Sequence, residues 1–177
     1  TSGGRVRTLT EARMTADLDV TLSNVAGVAQ FLAKQVDLTD ASIWIIESDP
    51  AVASYGSNLP AIVGFRNSSN AFKTATEWTQ DVPVGYDFAI GISGNAPTST
   101  TPLLWTRALE TTGTWGQDSP WGLGGHIAYL DGHVSFYNDL GLEDGQLVDP
   151  DDGSLTTNIE DIHVPANIMT APDYTGS

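Results

Sequence analysis

The sequence predicts an α+β fold in which one long N-terminal α-helix packs on an antiparallel β-sheet, followed by a loop-rich acidic tail. Three observations predict it: a proline-free amphipathic stretch at 9–36, short strand-like runs in the middle of the chain, and a hairpin signal at Asp131-Gly132. Because the strands follow the helix rather than alternate with several helices, an antiparallel sheet is favoured. We expect a single domain over 1–177, made of the helix (1–36), the sheet (37–138) and the acidic tail (139–177).

The N-terminal stretch carries apolar residues at alternating spacings of four and three, which is the period of one helix face. Thr8 or Thr10 is a candidate N-cap, and Glu11 is favourably placed near the positive end of the helix dipole. A helix of this span would be about 40 Å long. The apolar positions are Met14, Leu18, Leu22, Val25, Ala29 and Leu32.

Short apolar or alternating runs follow the helix and are separated by turn-forming residues such as proline, glycine and asparagine. The predicted strands are 43–47, 61–66, 72–78, 86–92 and 103–109.

The last predicted element is a hairpin, because two runs of alternating apolar residues flank Asp131-Gly132. A two-residue turn would place Tyr129 opposite Val134 and put His126 on the other face. The residues that would then share the core face are Ile127, Tyr129, Val134 and Phe136.

The composition excludes several classes of function. Seven basic and 22 acidic side chains give a net charge of -15, which opposes binding to nucleic acid or to an anionic membrane surface. There is no cysteine, so disulfides, thiolate metal sites and a cysteine nucleophile are excluded. The apolar run 43–46 is far too short to span a membrane, and no signal peptide is recognisable.

Two segments also match a known sequence pattern. The first holds a Gly-Gly pair, Asp-Gly-His-Val and alternating apolar residues, and the second, 101–109, reads Thr-Pro-Leu-Leu-Trp-Thr-Arg-Ala-Leu. Together they resemble the prepilin-like, type II secretion pseudopilin-related proteins of the H-X9-DG group, common in planctomycete and verrucomicrobial genomes. The matching residues of the first segment are Gly124, Gly125, Asp131, Gly132, His133 and Val134.

The chain departs from that pattern at several positions. Trp121 stands where the group's name expects a histidine, His126 stands where asparagine is frequent, and Ala108 replaces a usual glycine. A role tied to the missing histidine cannot be carried over to this chain, whereas the turn and the glycines can.

The resemblance implies a pilin-like fold and a non-enzymatic role as a structural subunit of an extracytoplasmic pilus-like or type II secretion pseudopilus filament. The subunit would lie in the cell envelope or at the cell surface and self-assemble with like subunits or other pilins. The full-length form would be membrane-anchored before assembly through a hydrophobic N-terminal segment that this sequence lacks. The N-terminal helix would pack in the filament core.

The acidic tail is a candidate calcium site, because calcium takes six to eight oxygen ligands with loose geometry. The candidate ligands are Asp149, Asp151, Asp152 and Glu160. A true EF-hand is disfavoured, since Gly153 falls at position five of the loop rather than six and flanking amphipathic helices are not evident. A solvated acidic loop without a cation is the alternative.

Trp115 and Trp121 lie in a glycine-rich loop and are candidates for stacking on a ligand such as a carbohydrate, with burial of both rings as the alternative. A shared zinc at His126 and His133 is disfavoured, because the predicted hairpin separates them by roughly 13 Å. The alternative function is therefore a cell-surface calcium- or carbohydrate-binding module. A hydrolase would need two converging carboxylates, and the sequence singles out no such pair.

Overall fold

A computed structural model describes residues 24–141 and 146–172 of the protein. The helices of these residues are α1 (Val25–Val36) and α2 (Pro50–Tyr55), with single 3-10 turns at Ser42–Trp44, Ile159–Asp161 and Pro165–Asn167. The strands are β1 (Gly64–Arg66), β2 (Phe72–Thr74), β3 (Tyr86–Ala89), β4 (Pro102–Thr106), β5 (Gly125–Tyr129), β6 (Val134–Tyr137), β7 (Leu147–Val148), β8 (Leu155–Thr156) and β9 (Ile168–Met169).

Five of these strands form the central sheet, in the order β6-β5-β4-β3-β9, and every neighbouring pair is antiparallel. The pairs β1-β2 and β7-β8 form two small separate hairpins. Strand β9 comes from the C-terminal segment and completes the sheet beside β3. The sheet therefore joins residues that are far apart in sequence.

The predicted fold class is wrong, because the described part of the chain is mostly β and its longest helix, α1, has 12 residues. The long helix does not continue through Asn24, whose backbone is extended (φ -159°) and whose side chain accepts a hydrogen bond from Ala26 N at 2.9 Å. Asparagine in this conformation is an N-cap and begins a new helix. The earlier part of the predicted helix lies outside the described residues.

Helix α1 is enclosed within its own domain. All residues from Val25 to Ala33 are buried, and Trp78 Nε1 donates a hydrogen bond to Ala26 O at 3.0 Å. A helix that is apolar on all sides belongs inside a core. The helix packs against β3, and the surrounding core residues include Trp44, Val63, Val84, Phe88 and Ile90.

A second core covers the opposite face of the sheet. Trp105 and Ile127 point into it, and Leu140, Leu147 and Ile159 of the C-terminal segment lie over them. The segment predicted as an acidic tail thus supplies both a strand and core residues.

The hairpin exists, but its predicted register is wrong. Tyr129 and His133 close a three-residue loop, since Tyr129 N donates to His133 O at 3.0 Å and Gly132 N donates to Tyr129 O at 2.9 Å. Gly132, with φ 95°, takes the left-handed position that such loops require. Ala128 therefore pairs with Val134, and His126 pairs with Phe136.

This one-residue shift turns Val134 and Phe136 away from the core face that holds Ile127 and Tyr129. The predicted core face is therefore wrong for two of its four members. The predicted strand 43–47 is also wrong, because Ser42–Trp44 forms a 3-10 turn instead.

Candidate functional site

The hairpin loop is held by its own side chains. Asp131 Oδ1 accepts hydrogen bonds from His133 N at 3.0 Å and from His133 Nδ1 at 2.5 Å. The backbone hydrogen bond from His133 is the main cause that lowers the pKa of Asp131. The His133 ring stacks on Tyr129, with ring centroids 4.4 Å apart. These contacts fix the loop and bring no further reactive group to it.

Gly124 and Gly125 allow close packing at the start of β5. A Cβ atom at Gly125 would lie 2.6 Å from Trp115 Nε1, and one at Gly124 would lie 2.6 Å from Tyr137 O. Trp115 is only 3% exposed, and its Nε1 donates to Thr106 O at 2.9 Å. Trp115 therefore presents no free ring face for ligand stacking.

Arg107 lies at the centre of a buried ion pair just after β4. Its Nε donates to Asp49 Oδ2 at 2.8 Å, and a terminal nitrogen forms a second hydrogen bond to Asp49 and a third to Asp118 O. Burial acts to lower the pKa of Arg107, whereas the hydrogen bonds and the negative charge of Asp49 act to raise it. The net effect is a pKa above the ordinary value for arginine. Asp49 also caps α2 by accepting from Ala51 N at 2.8 Å. The pair thus connects three segments of the fold.

The candidate functional site is an apolar groove of about 450 Å³ on the α1 face of the sheet. We call it the β6 groove, and its open side is formed by Leu38, Ile43, Trp121, His126 and Val134, with Phe136 beside His126. His126 lies edge-on to Trp121 and to Phe136, with ring centroids 5.2 and 5.0 Å apart. Val134 is 59% exposed and Phe136 is 47% exposed. The groove can contact apolar groups over a broad area.

The groove exists because α1 covers only part of the sheet face. The helix ends at Val36, and Asp37 adopts a left-handed conformation (φ 61°) that ends it. Beyond this point the chain forms the Ser42–Trp44 turn, and Ile43 and Trp44 of this turn line the groove together with Leu104 of β4 and Val134 of β6.

Sequence reasoning missed most of this groove. It assigned Val134 and Phe136 to the core, because it predicted a two-residue turn where a three-residue loop forms. Trp121 was identified as a candidate exposed tryptophan, and it does lie exposed at the groove. Gly132 did not distinguish the two loops, since glycine serves in either loop type.

The predicted calcium ligands do not converge. Asp149 Oδ1 accepts from Asp151 N at 2.8 Å, and Asp152 Oδ1 accepts from Ser154 N at 2.8 Å, both in the turn between β7 and β8. Glu160 lies apart, in the Ile159–Asp161 turn. Within residues 24–141 and 146–172 there is no group of three or more His, Asp or Glu side chains placed to hold a metal ion. Calcium binding stays a prediction, to be tested by thermal melts with calcium and with a chelator.

Comparison with family models, with curated proteins and with solved structures finds no match to this chain. The resemblance to prepilin-like proteins therefore stays an interpretation of the sequence. None of the helices in the described part of the chain is long and apolar enough to cross a membrane.

Proposed function

We propose that this protein is a non-enzymatic structural subunit of an extracytoplasmic pilus-like or pseudopilus filament, and that it contacts like subunits through the β6 groove. The observation that carries the proposal is an apolar groove bordered by an exposed sheet edge. Contiguous apolar surface of this kind marks interaction sites on soluble domains. The sequence resemblance at 101–109 and 124–134 supports the class of assembly.

Strand β6 is open to pairing. It hydrogen-bonds to β5 on one side, and its outer edge makes no backbone hydrogen bond to any residue that the structure describes. Its sequence, Val-Ser-Phe-Tyr, contains neither a charged residue nor a proline. Natural proteins usually protect exposed edge strands with charges, prolines or bulges, because an unprotected edge pairs with other chains.

The net charge of the molecule limits which surfaces of two subunits can come into contact. With a net charge of -15, two copies repel each other over most of their surfaces. Among the described residues that line the groove there is no Asp, Glu, Lys or Arg, so this area allows close approach. Ile62 and Phe65 are 40% and 46% exposed and do not line the groove, so they are the apolar side chains of the next copy that we propose to fill it. Contact between two different surfaces propagates into a filament rather than closing as a dimer.

The correction to the fold changes the mechanism of assembly. Because α1 is buried on all sides from Val25 to Ala33, its described residues have no free apolar face to offer to a filament core. The groove takes that role in this proposal, and the sheet edge lies at the subunit contact.

Sedimentation velocity across a range of protein concentrations tests the proposal, at low and at high salt. We expect concentration-dependent association into open-ended series of oligomers, and we expect it to strengthen with salt, because salt screens the repulsion between acidic copies. Replacing Val134 and Phe136 together by lysine should abolish it. Both side chains are about half exposed, so the fold should be retained.

The matched control is Leu155→Lys, at an apolar residue that is also well exposed but lies on β8, in the C-terminal segment that covers the opposite sheet face. This variant should associate like the unmodified protein. Monomers at every concentration and salt would overturn the proposal, and a closed dimer that grows no further would overturn its filament part.

A further inference from the structure

A second cavity, of about 360 Å³, lies between the loop after β3 and the C-terminal segment. We call it the Thr101 pocket. Its volume is at the lower end of the range of ligand pockets, which is about 300–1,000 Å³. The described residues that line it differ from those that line the β6 groove, so ligand binding in this pocket is independent of the proposed assembly.

Two buried polar side chains line this pocket. Thr101 is 3% exposed and His163 is 6% exposed. The Thr101 hydroxyl has no hydrogen-bond partner among the described residues, although the backbone of Thr101 bonds to Pro97 and Leu130. The Thr101 hydroxyl is not among the side-chain atoms of the described residues that are sealed from solvent without a partner, so it keeps some accessible surface. A buried hydroxyl of this kind can bind a partner from outside the protein.

His163 uses one ring nitrogen in a hydrogen bond, and its other ring nitrogen has no partner among the residues that the structure describes. Its Nε2 lies 2.8 Å from Pro102 O, and since a carbonyl only accepts, Nε2 carries the proton. Burial lowers the pKa of His163, although the bond to Pro102 O acts in the opposite direction, so the ring is neutral at pH 7. Nδ1 is then an acceptor. Stacking on Trp105, with ring centroids 6.0 Å apart, fixes the plane of the ring.

Asn167 adds a side-chain amide to the same wall. Its backbone is tied to Ile90 and Val164, and its side chain packs against Gly91, where a Cβ atom would lie 3.0 Å from Asn167 Nδ2. The amide forms no hydrogen bond with any residue in the described ranges. The pocket therefore offers a hydroxyl, an imidazole acceptor and an amide.

The remaining lining residues restrict the ligand class. Among the described residues that line the pocket there is no lysine or arginine and one acidic residue, Asp151, so an anionic ligand is disfavoured. Ile92, Ile162 and Val164 supply apolar contact areas between the polar groups. A ring that carries several hydroxyl groups fits such a pocket. Its hydroxyls can donate to and accept from the polar side chains, and its C–H faces can contact the apolar ones.

We infer that the Thr101 pocket binds a neutral polyhydroxylated molecule of about monosaccharide size, through hydrogen bonds to Thr101, His163 and Asn167. The carbohydrate site inferred here therefore differs from the one predicted from the sequence, which was built on Trp115 and Trp121.

Saturation-transfer NMR with glucose, galactose, mannose, N-acetylglucosamine and inositol tests the inference, followed by calorimetry on the best binder. Thr101→Val removes the hydroxyl while keeping its shape and should weaken binding about tenfold or more, because the ligand hydroxyl loses its partner. Asn167→Ala should also weaken binding, and it provides a second test if Thr101→Val does not fold. The matched control is Thr114→Val, at an exposed threonine outside the pocket, which should leave affinity unchanged.

Absence of saturable binding to all five probes at millimolar concentration would overturn the inference. So would binding that survives both pocket variants but is lost in Trp121→Ala, because the ligand would then lie in the β6 groove.

Discussion

The two faces of the central sheet are covered to very different extents. On one face, Trp105, Ile127 and Tyr129 are buried beneath the C-terminal segment. On the other face, α1 covers Phe88 but leaves Val134 and Phe136 about half exposed. The same hairpin supplies apolar residues to both faces, so composition alone does not decide which of them are buried. The extent of the covering layer decides it, and α1, with 12 residues, is only about 18 Å long.

The strongest test of this difference between the two faces is to truncate one apolar residue on each face of the hairpin. Ile127→Ala should lower the free energy of unfolding by about 2–5 kcal/mol, because it leaves a cavity in a closed core. Val134→Ala should lower it by no more than about 0.5 kcal/mol, because that side chain is already largely in solvent. Urea unfolding of the two variants measures the difference. Equal losses would show that the β6 groove is covered in solution.

A second test concerns the acidic residue on the covered face. Burial raises the pKa of Asp87 to about 6, although the hydrogen bond from Ala171 N and the charge of Arg107 act in the opposite direction. The folded state therefore holds this proton more tightly than the unfolded state, and stability falls as pH rises from about 4 to about 6. Asp87→Asn should remove that loss and be more stable at pH 7 by about 1–3 kcal/mol.

Urea unfolding at a series of pH values measures this effect as the difference between the two proteins. The difference should shrink towards zero below pH 4, where Asp87 becomes protonated in the unfolded state as well as in the folded state. A difference that stays constant with pH would contradict the buried, neutralised carboxyl group.

The tight packing beneath β5 provides a third test. Gly125→Ala would place a methyl group 2.6 Å from the Trp115 ring on the covered face, and we expect a loss of about 1–3 kcal/mol in the free energy of unfolding. Gly94→Ala is the matched control, since a Cβ atom there meets nothing within 4 Å. Thermal melts of both variants would reveal the contrast, and similar melting temperatures would argue against close packing at Trp115.

The smallest expected effect is at the hairpin loop, which sets the register and so decides which residues face the groove. Gly132→Ala should cost about 1 kcal/mol, because φ at this position is 95° and an L-residue is strained there. Amide exchange at β6 should report the looser hairpin. An unchanged unfolding midpoint would indicate that the loop is not held in this conformation.

Several features were predictable from the sequence, and each has a local cause. The hairpin at Asp131-Gly132 was predicted because an Asp-Gly pair favours a turn, although its loop has three residues rather than the predicted two. Val25, Ala29 and Leu32 were correctly assigned to a helix and are buried there. The start of α1 after Asn24 was missed because an apolar period can continue across a residue that acts as an N-cap.

Other features were beyond local reasoning. The run 43–46 is apolar enough for a strand, yet Trp44 and Ile46 are buried in an irregular segment that packs against the sheet. The Thr101 pocket brings together residues about 60 positions apart, such as Thr101 and His163. Neither the pocket nor the β6 groove has a periodic signature, because each depends on how one layer lies over another.

Strand β9 has a consequence for how the molecule forms. It pairs with β3, and Val25 N donates to Thr170 O at 3.0 Å, so the beginning of α1 is fastened to a residue made about 145 positions later. Contacts of such long separation slow folding, because chain entropy is lost before they form. As long as residue 168 is still inside a ribosome or a translocation channel, β9 cannot pair with β3 and the sheet is incomplete. The protein therefore reaches its native state only after that strand has been synthesised.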